Sequence, residues 1–218
     1  MNSRPPVGFV VEGHGEFACY PSLFCRTVKI SGLYAPAVNA GGCGSIVSNL
    51  GEHLTDLVSS RFPVSVIVTI DLQDALDQQL ARDSVELLDL LNSEIQKWQE
   101  KAVSDSRCHP LPESIVAVLQ VRKFESWLIS DTVSLKASNI LNSEAPDITD
   151  AESVESPCRF LQKHLIISGD SKNPKTAKII VSKIVPDKMR VNSRSFAIFY
   201  NESKTAYELW ISKGFDLN

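Results

Sequence analysis

Val64-Ser65-Val66-Ile67-Val68-Thr69-Ile70, running straight into Asp71-Leu72-Gln73-Asp74, is the stretch on which the fold turns. Seven residues, β-branched almost throughout, are too few for a buried helix and suit a pleated surface. The run does not alternate apolar with polar, so both of its faces are buried, as in a parallel sheet covered by helices on both sides. It is read as the central strand.

Other runs upstream and downstream resemble it. Gly8-Phe9-Val10-Val11 is apolar throughout and stops at Glu12-Gly13-His14-Gly15; 35–39 is a short strand candidate and 115–121 another. Helical spacing lies between them. It appears over 16–30 through Phe17, Tyr20, Leu23, Phe24, Thr27 and Val28, with Pro21 tolerable only in a first turn. It recurs through Ile46, Val47, Leu50, Leu54, Leu57 and Val58 behind a candidate N-cap, Ser45, and over 84–103 through Val85, Leu88, Leu91, Ile95 and Trp98. Phe124-Glu125-Ser126-Trp127-Leu128-Ile129 opens a further helix. Strands alternating with helices predict an α/β fold with a mainly parallel sheet flanked by helices.

Beyond 130 the sequence is rich in Ser, Asn, Asp and Glu as far as 156, with Pro146 and Pro157 as punctuation, and reads as a variable loop or insertion. Helical pieces follow over 158–165, 176–184 and 195–210. The division expected is an α/β domain over 1–130, with an insertion and helical C-terminal extension over 131–218 packing on the same domain.

The chain's 218 residues suffice for a full core, and 43% hydrophobic with 22% charged residues is ordinary for a globular protein. The apolar run at 7–11 is too short for the core of a signal peptide, and no stretch reaches the roughly 18 apolar residues of a membrane span. Cys19, Cys25, Cys43, Cys108 and Cys158 are odd in number and form no C-x-x-C pair, which suits reduced thiols in a cytoplasmic protein without a zinc site. A net charge of -4 offers no overall attraction to nucleic acid, so phosphate contacts require a local basic patch or a bound metal.

In a parallel sheet the loops leaving the carboxyl ends of the strands form the functional crevice. Glu12 ends the first strand, and Asp71 with Asp74 follows the central one, so three carboxylates converge if these strands are neighbours. Oxygen donors alone favour hard ions, Mg2+ or Mn2+, over zinc; the plainer reading is that strand-end acids cap the helices that follow. Glu16 is either a further ligand or a first-turn acid favoured by the helix dipole. Glu125 is either a ligand or orienting carboxylate or the partner of Arg122 or Lys123. His14 could meet a phosphate or carry a proton. Gly42, Gly44 and Ser45 could offer backbone N–H groups to a phosphate at a helix start, although the G-x-x-x-x-G-K-[ST] signature of an ATP hydrolase is missing. Lys172, Lys175, Lys178 and Arg194 are either phosphate contacts or a solvated basic surface.

Three motifs in order, Val10-Val11-Glu12-Gly13-His14-Gly15-Glu16, Ile70-Asp71-Leu72-Gln73-Asp74 and Lys123-Phe124-Glu125-Ser126-Trp127-Leu128-Ile129-Ser130-Asp131, resemble those of the TOPRIM-like domain-of-unknown-function 4276 family. That family is akin to the TOPRIM nuclease domains of the overcoming-lysogenization-defect proteins. The resemblance covers about the first 130 residues, with a weaker echo at Lys175-Thr176 and Ser193-Arg194-Ser195-Phe196. It implies a TOPRIM-like fold and a Mg2+- or Mn2+-dependent nuclease acting on DNA or RNA, beside a separate ATPase in a bacterial defence system. Glu12 would be the general acid or base and a metal ligand, Asp71 the first aspartate of a D-x-D pair, and a C-terminal lysine such as Lys175 a helper at the developing charge. One position departs from the pattern: Gln73 stands where the second aspartate belongs, and Asp74 comes one residue later. That departure leaves open a non-catalytic adaptor that binds a partner protein or nucleic acid.

Overall fold

The computed structural model describes residues 4–170 and 173–215. Four strands, β1 (Val7–Val11), β2 (Ala37–Asn39), β3 (Ser65–Asp71) and β4 (Ser114–Gln120), form one all-parallel sheet in the order β2-β1-β3-β4. β1 runs beside β3 with Val7 opposite Ser65 and Val10 opposite Val68, and β3 beside β4 with Asp71 opposite Gln120. Every residue of β1 and β3 is buried, as their unalternating apolar sequences require.

Helices cover both faces, ten of them among the described residues. On one face lie α1 (His14–Val28), α5 (Phe124–Ile129), α8 (Pro174–Val181), α9 (Pro186–Asn192) and α10 (Arg194–Ser212); their core takes Val7, Phe9, Val11, Ile67 and Val118 from the sheet. The opposite face receives α2 (Cys43–Arg61), α3 (Leu72–Asp77) and α4 (Ser84–Ala102), packed on Val10, Val66, Val68, Ile70 and Leu119. The two sets alternate along the strands because successive side chains point to opposite faces. α6 (Thr132–Ala137) and α7 (Pro157–His164) follow α5, which packs against α7. No helix among the described residues is long and apolar enough to cross a membrane.

Several sequence expectations shift. Pro21 lies inside α1 rather than in its first turn, and its missing N–H leaves the Phe17 carbonyl without its helical partner. The buried stripe of α4 is Leu87, Leu91, Ile95, Trp98 and Ala102, while Val85 is 66% exposed. The helix reaches the sheet only after its first turn, so the apolar residue that opens it stays in water. The segment read as a loop over 131–156 contains α6, capped by the Asp131 side chain, and Leu135 is fully buried.

An aromatic cluster ties the sheet to the chain's last long helix. Tyr20 of α1 stacks on Trp127 of α5 at 5.8 Å, and both rings meet Phe199 of α10 at 5.1 Å. Phe9 of β1 meets Phe199 at 6.0 Å, and the Trp127 indole N–H donates to Ser195 Oγ at 2.9 Å. Trp127 thus joins three elements and satisfies its one polar atom. Trp127→Ala should lower stability by about 3 to 5 kcal/mol, the usual cost of emptying a buried aromatic site; urea unfolding of the variant beside wild type checks this.

Candidate functional site

The strand order reverses between β1, whose chain turns outward to β2, and β3, which carries it the other way to β4. A crevice opens at the carboxyl ends of the strands at such a switch point. Here it is a cleft of about 430 Å³ lined by Glu12, Glu16, Asp71, Asp74, Glu125 and Lys123, with His14, Asn39, Gly41 and Gly42 among its other walls. The five acids proposed from the sequence lie in one place.

Glu12 directly follows β1, and its Oε2 accepts the Asp71 N–H at 3.1 Å. Burial raises its pKa, against the pull of that bond and with Asp74 nearby. Asp71 ends β3 and is 5% exposed; its Oδ1 accepts the Asp74 N–H at 3.1 Å, capping α3. Burial pushes its pKa to about 8, with the Asp74 and Glu12 charges adding to the rise. Glu16, in the first turn of α1, is pushed to about 7 by burial and then by the charges of Glu12, Glu125 and Asp74. Its Oε2 lies 3.1 Å from where a Cβ on Gly13 would stand, so a side chain at 13 would crowd this carboxylate.

Asp74 and Gln73 part company within α3. Gln73 turns outward and donates to Asp77 at 2.8 Å, whereas Asp74 lines the cleft in an ion pair with Lys123. Burial acts against the Lys123 ammonium, but Asp74 and Asp71 outweigh it and raise its pKa. Sequence reasoning placed Lys123 only as a local partner of Glu125. Its position between β4 and α5, across the cleft from β3, was the available signal. Asn39 was missed too: its Nδ2 is 3.1 Å from His14 Nδ1 and its Oδ1 accepts the Gly41 N–H at 3.0 Å, bridging the cleft's two rim loops.

The helix start proposed at Ser45 lies earlier. Gly42 occupies the N-cap position of α2 with φ 132°, a conformation L side chains rarely adopt, and it lines the cleft. Gly44 and Ser45 lie inside the helix and outside the cleft lining, and the Ser45 hydroxyl is 3.0 Å from His53 Nε2. Lys175 and Lys178 are exposed on α8, and Arg194 is exposed at the start of α10; none of the three lines the cleft. Lys172 lies outside the described residues. Among the described residues, no three His, Cys, Asp or Glu side chains are grouped, as they lie, so as to hold a metal ion.

A family model, domain of unknown function (DUF4276), matches residues 11–202. No curated protein and no solved structure matches the chain.

Asp71 connects this electrostatics to stability. An acid whose pKa is higher folded than unfolded binds its proton more tightly in the folded state. The resulting stabilisation is complete below the unfolded value, about 4, and is lost as pH rises through about 8. Asp71→Asn keeps a capping oxygen but cannot ionise. It should match wild type below about pH 4 and exceed it at pH 9 by about 1 to 3 kcal/mol, a range discounted for screening in an open cleft. Urea midpoints measured across that pH range check the crossover.

Proposed function

The chain belongs to the DUF4276 family, and from the geometry of its cleft and the likeness of its motifs we propose a divalent-metal-dependent phosphodiester hydrolase of TOPRIM type, a nuclease. One observation carries the reading: five carboxylates share a cleft at the switch point with a single ammonium, Lys123. Such a surplus of negative charge, on oxygen donors only, suits a hard dication such as Mg2+ or Mn2+. Glu12, Asp71 and Asp74 are the residues that would hold it, with Glu16 and Glu125 beside them. A dication bound there would polarise a phosphate and stabilise a leaving oxygen.

The chain's own groups supply the rest. Two backbone contacts fix the first two acids: Glu12 through the Asp71 N–H, and Asp71 through the first turn of α3. Glu12, which the motif resemblance makes the general acid or base, lines the cleft with its carboxylate held by the Asp71 N–H. Lys123 faces the same space and can offset charge on a phosphate oxygen. Gly42, at the start of the long helix α2, brings the positive end of that helix to the cleft wall.

The TOPRIM likeness belongs to this proposal and rests on the motifs around Glu12, Asp71 and Lys123-Phe124-Glu125. DNA or RNA as substrate, a separate ATPase subunit and a defence role rest on the same resemblance, and a cytoplasmic place rests on the scattered, odd-numbered cysteines. A second reading, a non-catalytic adaptor for a partner protein or nucleic acid, has its own support: Asp74 is already engaged by Lys123, and among the described residues no three acids are grouped for an ion as they lie.

Pure protein incubated with end-labelled DNA and RNA in Mn2+ or Mg2+ separates the two. On the hydrolase reading wild type cleaves, while Asp71→Ala and Lys123→Ala each lose on the order of 100-fold or more. Cleavage equal in wild type and Asp71→Ala would mean a contaminant, and the reading fails.

A further inference from the structure

A second concavity begins where the cleft ends. It straddles the outer edge of β2, bounded on one side by α1 and on the other by the end of α2, with a volume of about 560 Å³. Phe17 and Tyr34 stand in it 44% and 55% exposed. Arg61 and Lys178 flank it, both exposed, and neither is in an ion pair among the described residues. The Arg61 guanidinium lies 5.9 Å from the centre of the Tyr34 ring.

Cleft and groove are lined by successive residues of two elements. On α1, Glu16 lines the cleft and Phe17 the groove; on β2, Asn39 lines the cleft and Val38 the groove. Phe17 directly follows Glu16 on α1, so one of the two rings belongs to the residue next to a cleft acid.

We infer that this groove binds single-stranded nucleic acid, with bases on Phe17 and Tyr34 and backbone phosphates at Arg61 and Lys178, leading the strand into the acidic cleft. The inference rests on reading that cleft as a phosphodiester site. Aromatic faces beside cations are how sequence-tolerant single-strand binding is built, because every base has a face to stack and every nucleotide a charge to neutralise. In a chain of net charge -4, two cations with no ion pair among the described residues, beside exposed rings, supply the local attraction that the whole molecule lacks. A peptide added to the edge of β2 is disfavoured, since three residues offer few backbone hydrogen bonds. A duplex keeps its bases stacked inside and cannot lay them on the rings.

The test is fluorescence anisotropy of a labelled 12-nucleotide DNA strand, with its duplex as second probe, in EDTA so that binding is read without cleavage. Wild type should bind the strand about tenfold or more tighter than the duplex. Phe17→Ala and Tyr34→Ala should each weaken strand binding on the order of tenfold. Arg61→Gln and Lys178→Gln should each reduce the slope of log affinity against log salt by about 0.7. Lys101→Gln, on α4 away from the groove, should change neither. The altered side chains are exposed, and unchanged thermal midpoints verify that the variants fold. No binding by wild type, equal affinity for strand and duplex, or binding indifferent to all four groove variants overturns the inference. The two readings fail separately: ring-dependent binding without cleavage sinks only the hydrolase, and cleavage with ring-independent binding sinks only the groove.

Discussion

The parallel pairing of β1 with β3 is the constraint from which the cleft follows. With Val10 opposite Val68 and the chain leaving β1 toward one sheet edge and β3 toward the other, no loop crosses the gap between their carboxyl ends. Glu12 and Asp71 are the first residues able to reach into that gap, and the Asp71 N–H closes on Glu12 within it. A shift of register by one residue would move the buried apolar set of β1 to the wrong faces, so the burial of Phe9 and Val10 at 0% exposure also holds the acids in place.

Beneath the acids the floor is packed with buried side chains. Gln120, opposite Asp71 at the end of β4, donates to the Tyr20 hydroxyl, and both side chains are fully buried. Tyr20 also belongs to the aromatic cluster with Trp127 and Phe199, so the last long helix, far along the chain, closes the underside of a site made by its first strands. That closure removes water from one side of Glu16 and Asp71, and burial is the leading cause of the rise in both pKa values. Stability and electrostatics are thus set by the same side chains.

The sheet was legible because its strands are written as apolar runs that end abruptly in Glu12 and Asp71. Register within the helices was less so. Leu91, Ile95 and Trp98 of α4 were found by spacing, but the choice between Val85 and Leu87 depends on where the helix first meets the sheet, which the sequence does not encode locally. α6 escaped notice because Thr132 and Ser134, both buried, are polar, and their burial is made acceptable by tertiary bonds such as that from the Ile148 N–H to Thr132 Oγ1 at 3.1 Å. α9 was missed for a related reason: only seven residues long, it buries Pro186 and Met189 and leaves Val191 75% exposed. At the cleft the acids were read correctly as neighbours in space, while Lys123 was overlooked because its partner, Asp74, lies 49 residues away.

The departure at Gln73 has a geometric resolution. Two acids spaced D-x-D face the same way only while the chain stays extended, since side chains two apart share a face of a strand. Here β3 stops at Asp71 and α3 begins at Leu72, so the relevant spacing is helical and residues three apart are neighbours. Asp71 and Asp74 accordingly line the cleft together, and Gln73, outside the cleft lining, meets Asp77 instead. Asp74, one residue beyond Gln73, is the acid that α3 turns to the cleft, and there it meets the ammonium of Lys123.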